Sequence, residues 1–323
     1  MSNNGSGSIV MVTGASGFVG RYVVRELVAR GHTAICPVRN EAKLRAQTHR
    51  LDPDAVVPVP GDPLDERVLV RCLEHADAVI HLIGIISESR SGGQTFERVH
   101  VDGTRQVLHA CERAGVRRYV HMSALGAREG TGRVSRYHQT KWRAEEAVRR
   151  SIAQWTILRP SLIHGPEGEF MQMMKFFATS LRQPVMPYFG RGDRSIQPVH
   201  VKDVAACFVG ALSRPETILK TYDLGGPERY TWKELYDTCA LAIAGRKRVK
   251  VSVPVLLAKL AARTIVPLMP AVMVPYKFNV DQVIMSQEDN VCDTAPAIEA
   301  FDVRLRPFRA ELERYADQIR QER

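Results

Sequence analysis

The sequence has few cysteines, and none of them is arranged for metal binding or redox chemistry. Six occur in 323 residues, each alone in its segment: Cys36, Cys72, Cys111, Cys207, Cys239 and Cys292. No pair has the spacing of a zinc site or a CxxC motif. We therefore expect reduced thiols, no metal centre and a cytoplasmic location.

The sequence also lacks a signal peptide and an unbroken apolar segment. Residues 1–8 are polar, and residues 253–278, although rich in Leu, Val and Met, are interrupted by four prolines and by Lys259 and Arg263. This segment is too interrupted to span a bilayer. Two alternatives stay open for it: covering a substrate pocket, or resting on an anionic membrane at its inner face, aided by the preceding basic run Arg246–Lys250.

Charge gives little indication of a macromolecular partner. The net charge is +10 and the pI is near 9.5, but Arg is interleaved with Glu and Asp through most of the chain. This pattern is typical of a solvated basic surface, so we expect no nucleic-acid partner. The composition, 45% hydrophobic and 25% charged, is that of an ordinary globular protein with a sizeable core.

A glycine-rich turn between a strand and a helix is the most informative stretch. It follows the apolar run at residues 8–12 and precedes a helical pattern at residues 18–30; its members are Thr13, Gly14, Ala15, Ser16, Gly17, Phe18, Val19 and Gly20. The glycines permit a tight turn, close approach of a pyrophosphate, and close helix–strand packing. The spacing is GxxGxxG, and in this context it predicts a dinucleotide site at the helix N-terminus.

The end of the second predicted strand, residues 33–38, carries a basic residue where an acidic one would favour NAD. Arg39 stands there, with Lys43 close behind. A guanidinium suits a ribose 2′-phosphate, so the sequence favours NADP over NAD.

Further strands alternate with helices up to residue 160. After the third strand come Asp62 and Pro63, where the carboxylate either meets the adenine or caps the next helix; both interpretations fit. The fourth strand ends in Leu82, Ile83 and Gly84, at the edge where ligands bind in open α/β sheets. The alternation predicts an α/β fold with a doubly wound parallel sheet of Rossmann type.

A serine and a Tyr–Lys pair follow the fifth strand, residues 118–122. Ser123 comes first, and Tyr137 and Lys141 then lie four apart on one face of a helix that Ser135 would cap. An ammonium beside a phenol favours the phenolate, so we expect Lys141 to lower the pKa of Tyr137 and make it an acid–base group. A YxxxK match alone is weak evidence; its position after Ser123 strengthens it.

With these residues in place, the chain resembles the extended and atypical branches of the short-chain dehydrogenase/reductase superfamily. Segments 99–104, 121–127, 157–161, 197–205, 224–227 and 281–291 are more specifically similar to bacterial relatives of the nucleotide-binding accessory subunit of respiratory complex I. The similarity extends from about residue 8 to residue 315.

The resemblance implies roles for individual residues. Ser123 would orient the substrate oxygen, Tyr137 would be the acid/base, and Lys141 would hold the nicotinamide ribose. Pro160 and Ser161 would lie at the nicotinamide end of the site. It also implies a dinucleotide-binding domain at residues 8–163, completed by about 196–224, and a smaller substrate-side domain at 164–195 and 225–323.

Two functions follow and stay open. One is an NADP-dependent oxidoreductase or epimerase acting on an apolar carbonyl or alcohol, with a quinone-like small molecule as one option. The other is a non-catalytic NADP(H)-binding accessory or assembly protein of a respiratory complex. The second half does not identify a substrate. The Met- and Phe-rich helix at residues 170–177 is core or an apolar substrate wall, and His200 is more typical of a structural residue. Asp203 is expected to cap the helix that extends through Leu212. Nothing in the sequence fixes the oligomeric state.

Overall fold

The computed structural model describes residues 7–89, 92–130, 134–180, 185–269 and 276–321. Its strands are β1 (Ile9–Thr13), β2 (Thr33–Val38), β3 (Val56–Pro60), β4 (Ala78–His81), β5 (Arg118–Met122), β6 (Gln154–Pro160), β7 (Ile163–His164), β8 (Val185–Phe189), β9 (Ser195–Ile196), β10 (Val199–His200), β11 (Lys220–Leu224), β12 (Tyr230–Thr231) and β13 (Val249–Val253).

Seven of these strands form one parallel sheet in the order β11-β6-β5-β4-β1-β2-β3. The strand order reverses direction between β1 and β4, which creates a crevice at the carboxyl edge of the sheet. Met11 of β1 pairs with Ile35 on one side and Val79 on the other. The predicted doubly wound parallel sheet is confirmed.

The helices are α1 (Phe18–Ala29), α2 (Glu41–Thr48), α3 (Glu66–Leu73), α4 (Gly103–Ala114), α5 (Arg136–Arg150), α6 (Glu169–Thr179), α7 (Val201–Leu212), α8 (Trp232–Ala244), α9 (Val255–Thr264), α10 (Val280–Met285), α11 (Ala295–Phe301) and α12 (Phe308–Gln321). A π-helical turn, Glu97–Asp102, runs directly into α4. Short 3₁₀ turns lie at Pro53–Ala55, Pro215–Thr217 and Val266–Leu268.

Alternation along the strands divides the apolar side chains between the two faces of the sheet. Val10 and Val12 pack with α1 and α7, including the fully buried Phe208. Met11, between them, faces α3 and α4 on the other side, with Leu69. A third core joins α6, α8 and α12 in the second half of the chain.

The second half contributes β11 to the large sheet and three two-stranded pairings outside it. These pair β7 with β10, β8 with β13 and β9 with β12. The predicted division at residues 163 and 224 is compatible with this arrangement and stays a prediction. The methionine helix is α6, and its Met171 and Met174 are buried in the third core.

Residues adjacent in sequence cap the N-termini of several helices. Ser135 caps α5 by accepting from the His138 amide at 3.1 Å, and Thr231 forms a capping box with Glu234 at the start of α8. One expectation of this kind is wrong. Asp203 does not cap α7; the cap is His200, whose Nδ1 accepts from the Lys202 amide, while Asp203 is buried and accepts from the Arg306 amide at 2.8 Å.

The predicted tight packing of Gly20 on the glycine turn can be tested against a second helical glycine. A Cβ at Gly20 would lie 2.1 Å from the Gly14 carbonyl oxygen, whereas at Gly210 of α7 the nearest atoms are 3.7 Å away. Both changes to alanine gain the same intrinsic helix propensity, so the clash decides the difference. We expect Gly210→Ala to stabilise by up to about 1 kcal/mol and Gly20→Ala to destabilise by more than about 2 kcal/mol in urea unfolding. Equal effects of the two changes would contradict the packing.

Candidate active site

The glycine turn forms an open cradle between β1 and α1. Gly14 has φ +77°, and a Cβ there would lie 3.3 Å from the Leu82 carbonyl carbon. The Gly17 amide donates to the Gly14 carbonyl at 2.9 Å, and Gly17, as the N-cap of α1, provides no side chain to cap the helix. The first amides of α1 are therefore left for an external anion, as a pyrophosphate would require. Ala15, Ser16, Phe18 and Val19 complete this turn.

Two exposed cations stand at the carboxyl end of β2. Arg39 is exposed directly after the strand, and Lys43 is exposed on the first turn of α2, which Asn40 caps. Within the described residues, neither side chain is paired with a carboxylate. Both are therefore available to an anionic group beside β2.

Asp62 belongs to a turn rather than to the following helix. Its Oδ1 accepts from the Leu64 amide at 3.0 Å, whereas the N-cap of α3 is Asp65, which accepts from the Arg67 amide at 2.9 Å. The helix-cap interpretation of Asp62 is thus wrong, because the helix starts one turn later. Asp62 is exposed beside Pro63, and contact with an adenine stays a prediction.

Lys141 is buried at the crevice between β4 and β5. Its side chain is 2% exposed, and its Nζ donates to the carbonyl oxygen of Met122, the last residue of β5, at 3.0 Å. On the other side, a Cβ at Gly84 would lie 2.9 Å from the same Nζ. The ammonium is therefore held against backbone after β4 and at the end of β5, near Leu82 and Ile83. Burial lowers the pKa of Lys141 to about 8, despite the opposing charge of Glu145.

Tyr137 lies one helical turn before Lys141 in an aromatic setting. Its ring packs edge-on against His100 and Phe96, with centroids 5.4 and 5.9 Å apart. Burial raises the pKa of Tyr137 to about 12. The expectation that Lys141 lowers this pKa is therefore wrong for the protein alone: desolvation of the phenolate outweighs the ammonium, which is engaged with Met122.

Ser123 does not join Tyr137. Its hydroxyl is 2% exposed and donates to Glu145 Oε1 at 2.5 Å. Glu145 is in turn held by Arg159, which donates to both carboxylate oxygens at 2.7 Å, and by Arg149. Ser123 therefore anchors the middle of α5 to the end of β5. Orienting a substrate oxygen would require it to leave this buried network, and the role stays untested.

Ser161 is also bonded within the protein. Its hydroxyl donates to Asn290 Oδ1 at 2.5 Å, and the Asn290 side-chain amide donates to the Leu125 carbonyl at 3.2 Å. The carbonyl of Pro160 accepts from the Leu125 amide at 2.9 Å. Ser161 and Pro160 thus connect β6, the loop after β5 and the C-terminal part of the chain.

His100 supports the Tyr–Lys pair, and sequence reasoning assigned it no role. The Thr140 hydroxyl donates to the Arg136 carbonyl at 2.9 Å and so accepts from His100 Nδ1, also at 2.9 Å. His100 Nε2 then accepts from the Ile85 amide at 3.1 Å. Burial, with the nearby Lys141 charge, lowers the pKa of His100 to about 2, so a neutral ring links α5 to the loop after β4.

Asp281, far away in sequence, caps the helix that carries Tyr137. Its Oδ1 accepts from the backbone amides of Arg136 at 2.5 Å and Tyr137 at 3.4 Å. Asn279 nearby donates to the Ile86 carbonyl at 2.8 Å. Asn279 and Gln282 also form a capping box at the start of α10, which fixes this segment locally.

The described residues contain neither a metal-binding cluster nor a helix that could span a membrane. No three His, Cys, Asp or Glu side chains are grouped to hold a metal ion. Within the same ranges, no helix has the length and apolar character that crossing a membrane requires.

Comparison with known proteins identifies a family for most of the sheet. Residues 10–225 match the family described as the NAD dependent epimerase/dehydratase family. Among solved structures, UDP-glucuronic acid 4-epimerase from Bacillus cereus, determined with UDP-glucuronic acid and NAD, superposes with a TM-score of 0.73. It is 18% identical and covers 97% of this chain and 99% of its own. At that identity the likeness shows the fold.

Two curated proteins are more similar in sequence. NADH dehydrogenase [ubiquinone] 1 alpha subcomplex subunit 9, mitochondrial, from Arabidopsis thaliana is 34% identical over 92% of this chain and 74% of its own length. Ceramide reductase from Caulobacter vibrioides is 33% identical over 75% of this chain and 72% of its own length. The relatives thus include both a respiratory-complex subunit and a reductase.

The buried ammonium predicts a pH-dependent stability difference. Lys141 has a pKa of about 8 in the folded chain against 10.5 as its ordinary value, so the unfolded chain binds this proton more tightly. Below about pH 8 the folded state bears the full penalty; between about 8 and 10.5 the penalty disappears and parent stability rises. The stability of Lys141→Met relative to the parent should therefore fall by roughly 1–3 kcal/mol as pH rises through this window, measured by urea unfolding.

Lys220→Met is the matched control, because Lys220 is exposed at the start of β11. Its stability difference from the parent should stay constant over the same pH range. A parallel response of both variants would contradict a buried charged Lys141.

Proposed function

Because this chain belongs to the NAD dependent epimerase/dehydratase family, we propose that it is an NADP(H)-dependent oxidoreductase acting on an apolar carbonyl or alcohol. An epimerase, which needs the same proton and hydride exchange at one carbon, is the related possibility within this proposal. The observation that carries it is the placement of Tyr137 and a buried Lys141 on one face of α5, beside the glycine cradle.

In this proposal, different residues bind the dinucleotide and transfer the proton. The glycine turn would bind the pyrophosphate through the free amides of α1, and Lys141, held by the Met122 carbonyl, would donate to the ribose hydroxyls. The nicotinamide dinucleotide, when bound, supplies or accepts the hydride. Tyr137 would exchange a proton with the substrate oxygen.

The protonation of Tyr137 favours the direction of reduction. With its pKa raised to about 12, the phenol carries its proton at neutral pH and is ready to donate it to a carbonyl oxygen. His100 and Phe96 pack against its ring and exclude water from that side. Lys141 is the nearby cation that would stabilise the phenolate left after transfer.

Apolar substrates are supported by the aromatic residues next to the segment that reaches the site. Phe278 packs against Phe189 in a tilted arrangement, with centroids 4.9 Å apart, and directly precedes Asn279, which bonds to the Ile86 carbonyl. Phe176 of α6 packs on Tyr276 at 5.8 Å. The similarity to a protein named ceramide reductase supports the same class, an apolar, lipid-like substrate.

A second candidate function rests on a sequence similarity that extends over most of the chain. The Arabidopsis relative covers 92% of it and is named as a subunit of NADH dehydrogenase. The chain would then bind the dinucleotide as a structural element at a respiratory complex, without turnover. The cradle and Lys141 serve either function, whereas Tyr137 is needed only for the first.

Tyr137→Phe separates the two functions. This change keeps the ring packed against His100 and removes the hydroxyl. For the oxidoreductase we expect reduction of long-chain ketones by NADPH to fall by at least about 10³-fold, with NADPH affinity changed less than about threefold. NADPH oxidation followed at 340 nm, together with fluorescence titration of NADPH, measures both.

Tyr315→Phe is the matched control, because its hydroxyl bonds to His164 in the third core. It should leave turnover unchanged within a small factor. Turnover of the parent that survives Tyr137→Phe would refute the assigned role. A parent that retains NADPH through purification but reduces no member of an apolar ketone and quinone panel would favour the accessory function.

NADP preference rests on Arg39 and Lys43 beside β2. We expect Arg39→Asp to weaken NADP binding by at least about tenfold while NAD binding improves or stays the same, because a carboxylate repels the 2′-phosphate and accepts from the 2′-hydroxyl. Isothermal titration with both nucleotides measures this. Arg50→Asp, at an exposed arginine just past α2, makes the same charge change away from the strand end and should leave the ratio unaltered. An unchanged ratio in Arg39→Asp would remove Arg39 from the explanation.

A further inference from the structure

Exposed large apolar side chains concentrate in one short stretch. Of the 14 such residues in the described ranges, seven fall between residues 249 and 268: Val249, Val251, Leu256, Leu257, Leu260, Ile265 and Leu268. Leu256 is 79% exposed and Leu268 83% exposed. Single exposed leucines are normal, but a cluster of this kind marks an interaction surface.

The leucines occupy one side of α9. Leu256, Leu257 and Leu260 lie within about 100° of each other on the helix, which we call the leucine face. Ala258 and Ala262, on the opposite side, are buried against the protein. Ile265 and Leu268 extend the apolar surface beyond the helix, onto the 3₁₀ turn. The helix therefore presents its bulkier apolar side chains to the outside and its small ones to the protein.

The segment that carries this surface contains many cations and no acids, although Asp237, just before it, pairs with Lys247 and Lys250. Between Asp237 and Asp281 the sequence has no Asp or Glu and seven basic residues: Arg246, Lys247, Arg248, Lys250, Lys259, Arg263 and Lys277. Lys259 and Arg263 flank the leucine face and have no carboxylate partner in the described part of the chain. Lys277 Nζ donates to the Pro267 carbonyl at 3.2 Å, which places a further cation beside Leu268.

We propose that the leucine face, with Ile265 and Leu268, docks this protein on the surface of an anionic lipid bilayer. The apolar side chains enter the boundary between headgroups and acyl chains, and Lys259, Arg263 and Lys277 meet lipid phosphates. Lys and Arg suit this position, because their stems cover apolar surface while their charges stay in the headgroup layer. A helix lying in the interface needs no crossing segment.

Charge decides in favour of a bilayer over a second copy of the chain. A twofold contact through this surface would bring Lys259 and Arg263 of each copy against like charges, with no carboxylate from residues 238–280 to neutralise them. An anionic bilayer supplies the missing negative charge over the whole surface. The docking is independent of catalysis and holds for either candidate function.

Vesicle flotation tests the proposal with the full chain. Phosphatidylcholine vesicles and equimolar phosphatidylcholine–phosphatidylglycerol vesicles are compared at low and high salt. We expect the parent to float with the anionic vesicles, to float far less with the neutral ones, and to be released by salt. Leu256→Ser/Leu260→Ser should reduce the partition coefficient by at least about tenfold, since two leucines leave the interface.

Ile152→Ser/Ile298→Ser is the matched control, because it removes two exposed isoleucines far from α9 in sequence and should float like the parent. Lys259→Ala/Arg263→Ala tests the charges without touching the apolar side chains and should lose only the anionic preference. Arg50→Ala/Arg67→Ala, also at exposed arginines, should have no effect.

Three outcomes would overturn the proposal. One is a parent that floats with neither vesicle. The second is a leucine variant that floats as well as the parent. The third is a parent that binds no vesicle and is a dimer by light scattering, with Leu256→Ser/Leu260→Ser converting it to a monomer; that result would assign the face to a second copy.

Discussion

A single buried ammonium determines how the site is built. Lys141 can be held between the Met122 carbonyl and the Gly84 backbone only if β4 and β5 are neighbours and end at the same level. It also requires α5 to present that face to the sheet edge, which the Ser123–Glu145–Arg159 network secures one turn later. Gly84 must lack a Cβ, since the space is taken by Nζ. The Lys141 ammonium thus depends on the order of the strands, on the orientation of α5 and on the glycine at position 84.

The first half of the chain could be predicted because its signals are local. The glycine turn, the strand at residues 118–122 and the Ser135 cap each depend on neighbouring residues, and the structure places them as expected. A parallel sheet with short crossovers then leaves few alternatives for the strand order. The placement of Tyr137 and Lys141 on one helix face follows from their spacing alone.

What could not be predicted depended on contacts between distant residues. Ser123 resembles a substrate-facing serine in sequence, and its hydroxyl donates to the Glu145 carboxylate, 22 positions later. The pKa of Tyr137 was judged from a nearby charge, but the aromatic surroundings supplied by Phe96 and His100 decide it. Asp203 was expected to cap α7, but its carboxylate accepts from the backbone amide of Arg306, 103 residues away. In each case the behaviour of the side chain depends on how deeply it is buried and on which distant residue it contacts. Residue spacing in the sequence encodes neither.

The contact of Asp281 with the first amides of α5 makes the helix that carries Tyr137 depend on a distant part of the chain. The neighbouring Asn279 fixes the same segment to the Ile86 carbonyl, in the loop after β4. Loss of the Asp281 carboxylate would leave the Arg136 and Tyr137 amides without this acceptor and loosen the opening turn of the helix. Order in the C-terminal third of the chain is therefore a condition for order around the phenol.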